Sequence, residues 1–208
     1  MSGFGITQET KSENRVPFLA GINKGMLVSV EKKLKGKENA YTVLAFTFKD
    51  VENIRTFEHV EWTLNIDDEK FDVKMNGMNS RIKHLYEIYK PFPSEGIGTK
   101  AKNFDEFFDA VVAAFNTHDD GGKIFTYKKE NKELFKVIWL KTVYNKKGEI
   151  NFPLSPNFVE LVKENNQNQS KVLVIDKRYD KTEQPNVERQ GGAMMPNGLP
   201  TSNDGFEF

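Results

Sequence analysis

Cysteine is absent from the 208 residues, which excludes disulfides, thiolate metal sites and cysteine nucleophiles together and suits a reducing cytoplasm. Histidine is scarce: His59, His84 and His118 lie far apart and show no metal-ligand spacing. No apolar run approaches the roughly 18 residues of a membrane-spanning helix, and mean hydropathy is −0.61, so no membrane partner is expected. The first residues lack the basic-then-apolar layout of a secretory signal. No Gly-x-Ser-x-Gly elbow occurs and no acid–base pair stands apart, so neither enzymatic activity nor a cofactor is expected. An excess of either charge is missing too, because 30 basic residues balance 30 acidic ones.

Three clusters imitate chemistry and have plainer explanations. His118-Asp119-Asp120 stands directly before Gly121-Gly122, where a helix exit and turn favour Asp and Gly. Residues 96–100, GIGTK, lack the full spacing of a phosphate loop. Asp67, Asp68, Glu69 and Asp72 occupy positions where a helix N-terminus favours negative charge.

Aromatic residues are plentiful: 17 Phe, 6 Tyr and 2 Trp are ample for the core of one ordinary domain. Residues 1–16 are polar and read as a flexible N-terminus. Strands follow in GMLVSVEKKLKG, YTVLAFTFK and FEHVEWTL. In the second, Thr42, Leu44, Phe46 and Phe48 share one side, and Tyr41 lies off it. In the third, Val60, Trp62 and Leu64 share a face opposite His59 and Glu61, so Trp62 is assigned to the core.

The period then becomes helical, with Phe71, Met75, Met78, Ile82, Leu85 and Tyr89 at intervals of three and four. KPFPSEGIG breaks that stripe. A second helix begins at NFDEFF, where Asn103 caps and Glu106 completes a capping box. After it come KIFTYKK, a polar turn and LFKVIWLKTVYN, which read as a hairpin. A last strand is expected in KVLVIDKRY.

The fold class is therefore mainly β with inserted helices (α+β). It takes the form of a five-stranded antiparallel barrel of the oligonucleotide/oligosaccharide-binding (OB) type over 17–179, with a helical insertion at 67–118 and a disordered tail at 180–208. A β-sandwich with an inserted helical pair is the competing architecture.

Charge is unevenly spread. Eight lysines between Lys123 and Lys147 face only Glu130 and Glu133, a local balance of +6. From Gln190 onward no basic residue occurs, and Asp204, Glu207 and a terminal carboxylate give −3. Alternation places Lys123, Phe125, Tyr127 and Lys129 on one side of a strand. Rings stack on unpaired bases and ammonium groups neutralise phosphates, so these four residues form a candidate single-strand platform. Trp139 suits platform and core equally. Lys141 and Tyr41 join the candidate set, and Lys32, Lys33, Lys35, Lys37 and Arg55 supply phosphate contacts if their loops border the same groove.

The final QGGAMMPNGLPTSNDGFEF, with Asp204, Phe206, Glu207 and Phe208, resembles the tails of single-stranded DNA-binding proteins of bacteria and tailed phages. Members of that family join a binding barrel to a flexible linker and an acidic tip that finishes in phenylalanine. This chain has two side-chain carboxylates in the tip, where the family carries a longer acidic run. The resemblance implies sequence-independent coating of single-stranded DNA in replication, recombination or repair, in a bacterial host cytoplasm if phage-encoded. It also implies recruitment of a polymerase, helicase or nuclease through Asp204, Phe206, Glu207 and Phe208, and leaves homo-oligomerisation open. A virion assembly protein and a metal-dependent nuclease are the rival functions.

Overall fold

The computed structural model describes residues 16–183 apart from 53, 120 and 154–156. The alternation seen in the sequence becomes an antiparallel meander of three long strands: β2 (Gly21–Lys35), β3 (Tyr41–Asp50) and β4 (Arg55–Trp62). A short β1 (Val16–Pro17) pairs in parallel with the start of β4.

Two helices follow, α1 (Phe71–Glu87) and α2 (Phe104–Asn116). Asn103 caps α2 as its residue type requires, its side chain accepting from the Glu106 amide at 2.9 Å. Next come a hairpin of β5 (Thr126–Lys129) and β6 (Lys132–Phe135), then β7 (Val137–Tyr144), β8 (Ile150–Asn151) and β9 (Val159–Leu161).

The main sheet runs β1-β4-β3-β2-β7-β8, with β9 also on β7, and β5–β6 forms a separate two-stranded sheet. Strand β2 organises it. Its first half pairs with β7 from Gly21 to Met26, and a bulge between Leu27 and Ser29 then bends it away. The edge so exposed is covered by α2: Asn116 donates to the Val30 carbonyl at 2.9 Å, and Lys32 lies 2.9 Å from Asp105 and 2.6 Å from Asp109. Among the described residues no ladder joins the two ends of the sheet, so the expected closed five-stranded barrel is instead an open, mainly antiparallel sheet.

The core lies between the sheet and the two helices. Leu44, Phe46 and Phe48 face it, as their spacing predicts, and Phe46 meets Phe115 of α2 edge-on at 5.6 Å. On β4 the inward face is Phe57, His59 and Glu61, the opposite parity from that expected. Arg81 of α1 explains the inversion. Its Nε and Nη2 donate to the two Glu61 carboxylate oxygens at 2.6 and 2.8 Å, while His59 Nε2 lies 2.8 Å from Oε1. The other His59 ring nitrogen is 3.1 Å from the Asn151 side-chain oxygen on β8. A carboxylate so paired can enter a core that an isolated one cannot. Burial pushes the Glu61 carboxyl upward, but Arg81 and His59 outweigh it and hold it at about 2.

The stretch expected to form the last strand does not. Its amides turn to side chains instead: Lys171 and Val172 donate to Glu160, and Leu173 donates to Ser170. Leu173 alone of its apolar residues is buried, and Val174 is 70% exposed. No helix among the described residues is long and apolar enough to cross a membrane.

Candidate nucleic-acid interface

The basic hairpin is built differently from its sequence parity. Residues 123–126 form a turn, with the Thr126 amide donating to the Lys123 carbonyl at 3.0 Å, so strand alternation starts only at Thr126. The turn rotates Phe125 inward, where it is fully buried, stacked at 6.4 Å on Phe135 and edge-on to Tyr89. Lys123 sits over its ring at 5.7 Å. Phe125 therefore offers no face to a base.

Trp139 is also enclosed, at 8% exposure. Its indole N–H donates to the Asn166 carbonyl, and Lys24 covers its ring at 5.1 Å. Lys141, expected to meet phosphate, is buried in an ion pair with Asp180 at 2.5 Å and donates to the Val174 carbonyl. Of the residues proposed for this hairpin, Tyr127 and Lys129 remain on the surface. They share a face with their cross-strand partners Leu134 and Lys132, beyond a two-residue turn in which Glu130 and Asn131 both have positive φ.

A better platform lies on the outer face of the meander. Register places Lys35 opposite Tyr41 and Lys33 opposite Val43, which in turn faces Trp62. Tyr41 and Trp62 are 55% and 45% exposed, and their rings meet edge-on at 6.1 Å. Gly36, at φ 91°, makes room for the pair, since a Cβ there would stand 2.7 Å from the Tyr41 ring. Between the rings and the strand centre, Lys33 reaches Glu58 at 2.8 Å and Glu31 at 2.9 Å, and Lys35 also pairs with Glu58. Burial pushes the Glu58 carboxyl up, but the two lysines outweigh it and hold it below its usual range.

One half-buried carboxylate held by two ammonium groups beside two open rings is suited to a planar apolar ligand that carries negative charge. Phosphate can displace Glu58 and leave both lysines satisfied. The β5–β6 hairpin immediately precedes β7, which begins at Val137 opposite Met26, and its β6 strand lies beside β2. Arg55 is not part of this grouping. It stands at the far end of β4 from Trp62, roughly 23 Å away along the strand, near Asp50 and Lys24.

Trp62, like Phe125 and Lys141, is thus a residue that sequence reasoning misplaced, and Gly36 is one that it did not single out. Only Arg81, twenty residues beyond Glu61, discloses which face of β4 is buried. Asp204, Phe206, Glu207 and Phe208 lie outside the described residues. Among the described residues no three His, Asp or Glu side chains gather closely enough to hold a metal ion. Comparison of the chain with family models, with curated proteins and with solved structures finds no match.

Proposed function

We propose that the protein is a non-enzymatic, sequence-independent single-stranded DNA-binding protein whose strand-binding surface is the outer face of β2–β4. The carrying observation is the open Tyr41–Trp62 ring pair bordered by Lys33 and Lys35. Each exposed ring can stack one base, at about 1–3 kcal/mol, and duplex DNA hides its base faces from such a surface. Tyr127, Lys129 and Lys132 on the neighbouring hairpin extend the cationic path for the backbone.

The finer fold assignment, an OB-like domain, draws support from connectivity. A long bent strand pairs with β3 on one side and β7 on the other, the meander precedes the helices, and β7 returns after them. In that fold the second and third strands present the binding face, and here those are β3 and β4. In this proposal Asp204, Phe206, Glu207 and Phe208 recruit replication or recombination enzymes to coated strands, in a cytoplasmic setting.

Anisotropy titrations with labelled oligo(dT) and with a duplex of equal length test the proposal. Tyr41→Ala and Trp62→Ala should each weaken oligo(dT) binding by roughly 5- to 150-fold, with the duplex bound more weakly than the single strand by wild type. Equal affinity for both forms, or unaltered binding by both variants, contradicts it.

A further inference from the structure

We propose that the helical layer carries a docking groove for the Phe-Glu-Phe segment of the same chain, Asp204 to Phe208. This goes beyond strand binding and uses the opposite side of the sheet. The α1 and α2 helices and the loop between them leave two adjoining hollows of about 510 and 240 Å³, which share Met75, Gly98 and Phe107. A dry cavity of about 150 Å³ already accepts benzene, so each hollow has room for one phenyl ring.

The walls are mostly apolar. Phe71, Met75, Phe92, Ile97, Phe104 and Phe107 supply them, all half-exposed at the margin of the core. The ionisable groups lining the hollows are Lys83 and Lys102, with no Asp or Glu among the lining residues. An occupant should therefore bring two apolar rings and negative charge. In an extended conformation Phe206 and Phe208 would share one side and Glu207 the other, with Asp204 just before them in sequence.

Reach is not limiting. Phe206 lies twenty-three positions beyond Glu183, an extended span of up to about 80 Å. Attachment to the same chain also gives an effective concentration on the order of millimolar, so a weak site suffices for occupancy.

The test places the photo-crosslinker benzoyl-phenylalanine at position 208 of the full chain, irradiated dilute and without nucleic acid, with crosslinked peptides identified by mass spectrometry. Crosslinks within one chain to residues 71–75, 92–98 or 104–107 are expected. Met75→Glu sets a carboxylate where the two hollows join and should cut their yield roughly tenfold. Should that change unfold α1, Phe206→Ser, which lies outside the described fold, should reduce the yield similarly. Crosslinks to the Tyr41–Trp62 face, crosslinks only between two chains, or none at all overturn the proposal. Because nucleic acid is absent throughout, none of these outcomes depends on whether the protein binds DNA.

Discussion

Replacing Glu61 by Gln probes the buried junction that ties β4, α1 and β8 together. The carboxyl is held at about 2 against an ordinary 4.5, because Arg81 and His59 outweigh the burial that would raise it. At about 1.4 kcal/mol per unit, the charged form contributes roughly 3 kcal/mol of folding stability at neutral pH. The folded pKa lies below the unfolded one. The contribution is therefore complete above pH 4.5 and is lost as pH falls toward 2. Gln retains the shape and one acceptor but leaves the Arg81 guanidinium without its counter-charge.

Urea denaturation of wild type and E61Q, followed by circular dichroism at pH 7, 4 and 2.5, provides the assay. A gap of roughly 3 kcal/mol at pH 7 is expected, equivalent to roughly 6–12 °C in Tm for a chain of this size. The two proteins should converge as pH approaches 2, where the wild-type carboxyl is itself protonated. Equal stability at pH 7, or a gap that does not change with pH, refutes the reasoning.

Three further outcomes follow from the structure. Phe125→Ala should cost roughly 3–5 kcal/mol in denaturant melts while leaving oligo(dT) affinity of the folded protein unchanged, since the ring is core. Gly36→Ala should weaken oligo(dT) binding, because a Cβ at φ 91° strains the turn and pushes the Tyr41 ring aside; anisotropy compares it with wild type. Lys33→Gln with Lys35→Gln should lower the slope of log affinity against log salt by about 1.4 if each lysine meets one phosphate, measured between two salt concentrations.

Much of the framework was legible in the residues. The β3 alternation and the Asn103 cap are local signals, and both appear as their spacing requires. The two helices were legible as well, although their position as the layer that covers the core was not. The failures share a physical cause: each turned on a partner distant in sequence or on a break in period.

Glu61 is buried because Arg81 meets it, so Trp62 faces outward; nothing within β4 says so. Phe125 lies before the strand begins, so counting parity backward from Tyr127 gave it the wrong side. Lys141 reads as a surface cation until Asp180, thirty-nine residues on, closes over it. Residues 171–179 have strand composition, but Glu160 and Ser170 take their amides before a neighbouring strand can. The candidate interface consequently moved from the lysine-rich hairpin to a ring pair assembled from two strand ends.

The chain has two tryptophans, which makes a direct measurement possible. Trp62 is open and Trp139 enclosed, so Trp139→Phe and Trp62→Phe isolate one emitter each. Titrated with oligo(dT), the protein keeping Trp62 should show strong, saturable quenching that weakens as salt rises. The protein keeping Trp139 should stay nearly constant in emission. Quenching confined to Trp139, or no change in either protein, would contradict a strand-binding surface on β2–β4.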